Sequence, residues 1–260
     1  MSSGCKVWLD IIRIENSLQN IPILFFQIVS SIPSDCPRKM NKLLITISAL
    51  VVSCVTAAAI AQDIKGDPKA GEQKNAMCVG CHGIKGYQAS FPEVYKVPMI
   101  SGQSAKYIVS SLNAYKKGER KHPSMRGISE TLTDQDMADL AAYYSASGVV
   151  AVAALAETPS KQPSAAVQAL LTKANCSSCH GANYSKPIDP SYPKLGGQHS
   201  DYLFVALKSY KVQNNPKHGR NNAIMAGMAK QYSNAELKLI ASYLSSLDGD
   251  LKTVAQSRFR

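Results

Sequence analysis

Two runs of the same form occur in the chain, Cys78-Val79-Gly80-Cys81-His82 and Cys176-Ser177-Ser178-Cys179-His180. Two thiols separated by two residues can serve as a redox dithiol or as half of a zinc site. With a histidine directly after the second cysteine, a third chemistry opens. The thiols form thioethers to the two vinyl groups of one porphyrin, and the imidazole is held beneath the iron. Two copies, each followed by a methionine at nearly the same distance, favour this third reading. It predicts two covalently bound haem c groups, attached at Cys78 and Cys81 and at Cys176 and Cys179. His82 and His180 are then the proximal iron ligands.

A low-spin electron carrier needs a sixth ligand, and a thioether there favours ferrous iron. Met125 lies 43 residues after His82, and Met225 lies 45 after His180. Both fall in stretches that read as loops, His122-Pro123-Ser124-Met125 and Asn222-Ala223-Ile224-Met225. Methionine is more often core filler, the reading that suits Met77, Met99 and Met137. Met228 rivals Met225, but its repeat partner is Ile128, which cannot ligate. His122 and His218 also fall in these stretches, so a bis-histidine set is the rival ligand pair; the plain reading makes them exposed loop residues.

The elements that must position these groups repeat as well. Pro98–Gln103 matches Pro193–Gln198, both P-x-x-x-G-Q. Tyr107, Leu112 and Tyr115 are matched by Tyr202, Leu207 and Tyr210. Each copy reads as three helices. They span 68–78, 104–117 and 134–145 in the first copy, and 164–176, 199–212 and 234–247 in the second. The last of each opens on an S/T-x-x-D/E cap, at Thr133 and Ser233. A prolyl carbonyl at 98 or 193 is placed to accept the Nδ1 hydrogen of the proximal histidine, with a simple turn proline as the alternative. Gly102-Gln103 and Gly197-Gln198 read as helix starts, and Tyr143 and Tyr243 as packing against the haem edge. No alternating strand pattern is present. The expected fold is all-α, two small tandem helical domains, each packing its three helices round one haem. Domain 1 spans 62–156, domain 2 spans 164–260, and the Pro-containing stretch 157–163 links them.

The remaining three of the seven cysteines lie in the first 54 residues. Met40-Asn41-Lys42, the apolar run 43–55 and Ala59-Ile60-Ala61 compose a secretory signal peptide over 40–61, and 1–39 reads as an upstream extension. Retention of the apolar run as an anchor and lipidation at Cys54 are the competing readings. The whole chain carries 29 Lys+Arg and 18 Asp+Glu; 5 and 3 of these precede Gln62, leaving net +9 for 62–260. That basic balance suits acidic redox partners or anionic headgroups, and peripheral membrane association is compatible with it. The lysines are scattered and no nucleic-acid signature is present. The local run Lys116, Lys117, Arg120 and Lys121 reads as a solvated face or a docking patch. Hydrolase, zinc-protease and phosphate-loop motifs are absent, so no catalytic set is expected.

Two Cys-x-x-Cys-His motifs, two P-x-x-x-G-Q segments, and Met125 and Met225 ahead of capped helices together resemble the dihaem class I cytochromes of the cytochrome c4 type, over essentially all of 64–260. The resemblance implies a periplasmic two-domain electron carrier, its haems near a pseudo-two-fold axis. His82 and Met125 would ligate one iron, and His180 and Met225 the other. It implies redox protein partners: a quinol-oxidising, cytochrome bc1-type donor and a terminal oxidase acceptor. The departures are the long N-terminal extension and the bulkier 87–97 against 182–192. A cytochrome subunit of a flavin-linked, sulfide-oxidising type dehydrogenase is the alternative, and a dihaem peroxidase a further one. The protein isolated from its own cells is expected to begin at Gln62 by intact-mass measurement; native peptides from 1–39 would overturn this.

Overall fold

The computed structural model describes residues 64–148 and 155–255. The extension 1–39, the signal segment 40–61 with Cys54, and Gln62 lie outside the described residues. Among the described residues no helix is long and apolar enough to cross a membrane. The first half runs α1 (Pro68–Lys74), α2 (Ala76–His82), β1 (Gln88–Ala89), β2 (Tyr95–Lys96), α3 (Ala105–Lys116), β3 (Arg120–Lys121), α4 (Pro123–Glu130) and α5 (Asp134–Ala146). The second runs α6 (Ala165–Lys173), α7 (Ser177–His180), α8 (Ser200–Ser209), β4 (Gly219–Arg220), α9 (Ala223–Ala229) and α10 (Asn234–Ser246).

The expected first helix is broken in both halves. Asn75 (φ −79°, ψ 1°) is fully buried and ends α1. Its carbonyl accepts the N–H groups of both Cys78 and Val79, so the chain restarts as α2 carrying the first motif. In the second half the break falls at Asn175, which has φ +45°. Asparagine tolerates that conformation better than most residues, and α7 follows it as a single turn. α4 and α9 stand where loops were expected. Pro123, with its φ already helical, occupies the first turn of α4. His122 and Asn222 cap the two helices. Elements of two turns without an S/T-x-x-E start leave little periodic signal. The four strands are two residues each, too short to leave an alternating pattern.

α5 and α10 form as expected. Each has 13 residues and a complete capping box, Thr133 with Asp136 and Ser233 with Glu236. α5 packs on α1 and α3, burying Leu140, Ala141 and Tyr144 against Ile108. The α1–α5 crossing requires glycine: a Cβ on Gly71 would stand 2.1 Å from the Asp139 carbonyl oxygen. Beside that crossing the buried Asp139 carboxylate accepts from Asp67 N–H (2.8 Å), Lys74 Nζ (2.7 Å) and Gln135 Nε2 (2.8 Å). In the second half α10 buries Leu237, Ile240, Ala241 and Leu244 against α6 and α8.

Residues 63–260 form one compact unit, and its two halves join about their repeat. β3 pairs antiparallel with β4, so that Arg120 faces Arg220, its own repeat equivalent. The Arg120 guanidinium lies over the rings of Tyr107 (5.1 Å) and Tyr115 (5.7 Å). Arg220 lies over Tyr202 (5.5 Å) and Tyr210 (5.6 Å). Lys208–Glu93 and Lys96–Asp201 ion pairs cross the same junction. The basic run is therefore not one solvated face. Arg120 and Lys121 form the junction strand, and Lys116 Nζ donates to the Leu132 carbonyl.

The Asp67 N–H and Lys74 hold the Asp139 carboxyl below the usual carboxylate range. A depressed folded-state pKa contributes stability that is present above the unfolded value, near 4, and lost as pH falls through the folded one. Asp139→Asn in the haem-loaded protein should cost about 1–3 kcal/mol at neutral pH. In denaturant titrations the gap from wild type should narrow as pH falls below the unfolded value, near 4.

Candidate functional site

Cys78 and Cys81 lie one helical turn apart on α2, with His82 as its last residue. In the second half Cys176 caps α7, which carries Cys179 and ends on His180. All four motif cysteines are partly buried. Burial pushes the Cys78 thiol up to about 11, and raises Cys176 also. Neither shift is the lowering that activates a thiol for redox exchange. Among the described residues no three of His, Cys, Asp and Glu converge as a metal cluster, which leaves a zinc ion short of ligands.

The histidine rings of both motifs are oriented in the same way. His82 Nδ1 is 2.8 Å from the Pro98 carbonyl oxygen, and His180 Nδ1 is 3.1 Å from that of Pro193. A carbonyl only accepts, so the hydrogen sits on Nδ1 and Nε2 is left with its lone pair. Burial lowers the pKa of both imidazoles, keeping them neutral at pH 7. A neutral imidazole with a free Nε2 is the form that binds a metal.

Met125 and Met225 are each the third residue of a capped helix, not loop residues. Met125 N–H donates to the His122 ring at 3.4 Å, and Met225 N–H to Asn222 Oδ1 at 2.9 Å. The rival histidines are not exposed. His122 and His218 are half-buried and stand edge-on to Phe91, each with its ring centroid 6.1 Å away. Tyr243 is buried and donates to the Lys161 carbonyl (2.9 Å), while Tyr143 packs edge-on against Tyr144. Tyr144 sits against the Cys78 sulfur.

Sequence reasoning passed over two pairs of residues. Gln103 and Gln198, read as helix starts, are buried side chains that reach across the junction. Arg120 and Arg220 have no carboxylate within ion-pair distance among the described residues. Both pairs recur at equivalent repeat positions, which is the signal that marks them.

The sequence model of the cytochrome c family matches residues 69–145 and again 164–248. Cytochrome c4 of Stutzerimonas stutzeri is 32% identical over 222 residues, covering 80% of this chain and 100% of that protein. The chain belongs to the dihaem cytochrome c4 family. Cytochrome c4 of Thiocapsa roseopersicina is 34% identical over 195 residues, covering 70% of this chain and 93% of its own. Among solved structures, thiosulfate dehydrogenase from Marichromatium purpuratum matches 70% of this chain and 40% of that one, at 26% identity and a TM-score of 0.51. As a dihaem cytochrome the protein carries two covalently bound haem c groups and transfers electrons between redox partners.

The residues present fit such groups. Each motif offers two thiols on one turn and an imidazole with its Nε2 free. Apolar side chains flank the sites without cover: Met77 beside the first motif is 63% exposed, and Ile224 beside Met225 is 62% exposed. Among the described residues of the first half the buried apolar side chains are Val79, Tyr95, Ile108, Met137, Ala138, Leu140, Ala141 and Tyr144. That is a small core for a domain of this size, and a flat apolar group would enlarge it. Replacing both Cys78 and Cys81 by Ala should lower haem from two to one per chain in a pyridine haemochrome assay. The same exchange at Cys176 and Cys179 should do likewise.

Proposed function

We propose that the protein is a periplasmic electron carrier with two closed His/Met sites, His82 with Met125 and His180 with Met225. The observation that carries this is their equivalence. Each histidine is fixed through Nδ1 by a prolyl carbonyl, and each methionine occupies the third position of a capped helix. When bound, each haem iron takes up or releases one electron. Around it the chain supplies every other function. Cys78 and Cys81, and Cys176 and Cys179, anchor the porphyrin, so a small domain keeps it without a deep pocket. The Pro98 and Pro193 carbonyls hold the Nδ1 hydrogens and keep the rings from turning. Arg120 and Arg220, which have no carboxylate partner among the described residues, would supply positive charge at the junction for the porphyrin carboxylates. If His82 with Met125 and His180 with Met225 hold the two irons, no coordination site would be left for substrate, which would favour a carrier over a peroxidase.

The domain boundaries proposed are 62–156 and 164–260, with 157–163 between them, and the family match supports the division. The donor proposed is a quinol-oxidising, cytochrome bc1-type complex, and the acceptor a terminal oxidase. The signal segment 40–61 supports export, and the net +9 of 62–260 supports encounter with acidic partner surfaces. A second reading has its own observation. The likeness to the thiosulfate dehydrogenase structure supports a role taking electrons from a dehydrogenase of sulfur compounds. Faster reduction by a thiosulfate dehydrogenase than by the quinol-oxidising complex would favour that donor.

Met125→Ala and Met225→Ala should each remove about half of the methionine–iron charge-transfer absorption of the oxidised protein. Each should also create one carbon monoxide-binding haem in the reduced form. An unchanged spectrum in either variant would exclude that methionine as a ligand.

A further inference from the structure

The carbonyl that receives the His82 Nδ1 hydrogen and the N–H of Met99 belong to one peptide group, Pro98–Met99. That N–H donates to Gln198 Oε1 at 3.0 Å, and Gln198 Nε2 donates to the Met99 carbonyl at 2.9 Å. Gln198 belongs to the other half of the molecule. The arrangement is reciprocal. The Lys194 N–H, of the peptide group whose Pro193 carbonyl faces His180, donates to Gln103 Oε1 at 3.0 Å, and Gln103 Nε2 donates to the Lys194 carbonyl at 3.1 Å. Each glutamine oxygen also accepts the N–H that begins its own helix, Ser104 at 2.9 Å and His199 at 3.0 Å. Both side chains are 4% exposed, so water does not replace these bonds when they are removed.

We infer that Gln103 and Gln198 are crossed positioning residues, each setting the proximal histidine of the opposite half through the peptide group it grips. The inference rests on His82 and His180 being the proximal ligands. Hydrogen bonds in a chain polarise one another. An acceptor on the Met99 N–H draws charge through the peptide group and strengthens the Pro98 carbonyl as acceptor. The stronger Nδ1–H bond makes the imidazole a better donor at Nε2 and favours ferric iron. Loss of the Gln198 oxygen should therefore raise the potential of the haem at Cys78–His82 and leave the other unmoved. Loss of the Gln103 oxygen should do the converse.

The test uses the haem-loaded full chain. Gln198→Met keeps the length and removes both polar atoms, and Gln198→Glu keeps an acceptor and removes the donor; the same pair is made at Gln103. Each haem is followed by its own methyl resonances in redox titrations, and each proximal ring by its Nδ1–H resonance in the reduced protein. Gln198→Met should shift the ferrous-to-ferric ratio of the His82 haem at fixed potential by about threefold to tenfold, tenfold being about 59 mV for one electron. It should also move the His82 Nδ1–H signal. Gln198→Glu places a stronger acceptor on the Met99 N–H and should lower the potential of the His82 haem below wild type. If both haems shift together, or only the haem in the glutamine's own half, or neither, the inference is overturned. If Gln198→Met does not fold, Gln198→Glu decides: a change confined to the His82 haem supports the inference, and no change overturns it. Failure of the ligation reading is seen separately, as the absence of ring-current-shifted His82 or His180 signals in the wild type, and ends both.

Discussion

A hydrogen bond from an imidazole to a prolyl carbonyl fixes a ring that would otherwise turn about two torsions, and each half of this molecule is built to hold the two ends of that bond. One end is His82, placed by α2, whose start is set by the buried carbonyl of Asn75. The other is Pro98, whose ring limits the backbone on one side while the junction grips the peptide group on the other. The same two supports recur for His180 and Pro193. The four-residue α7 shows how little regular structure the motif itself needs, provided the acceptor is fixed.

The junction is thus part of the site rather than a seam between finished domains. Its charged groups are arranged with the same economy. Arg120 and Arg220 are brought face to face by the β3–β4 pairing, which in isolation is a like-charge contact. The tyrosine faces beneath them offset part of that repulsion, and the ion pairs of Lys208 with Glu93 and Lys96 with Asp201 lie to the side. Burial alone would raise the Tyr107 hydroxyl, but the two guanidinium groups pull it below its ordinary value.

Much of this was legible before any coordinates. The motifs, the repeat, the capped third helices and the prolyl carbonyls follow from residue types whose chemistry is local. What was not legible depends on contacts distant along the chain. The break at Asn75 arises because its side chain is buried against the tertiary structure. α4 and α9 are too short to show a helical period, so Met125 and Met225 read as loop residues. Gln103 and Gln198 look like ordinary helix starts because their partners lie 91 and 99 residues away. Arg120 reads as one more lysine-rich surface position until its strand partner is known.

The pairing of Arg120 with Arg220 has the form of an isologous contact, in which a surface meets its own copy. In a dimer of identical subunits every substitution there appears twice, and the two sites must change in step. Joining the copies in one chain lifts that restriction. Position 99 is methionine where 194 is lysine, and the helix cap is His122 on one side and Asn222 on the other. A repeated scaffold can then surround its two centres with unequal side chains, which a dimer of identical chains cannot do.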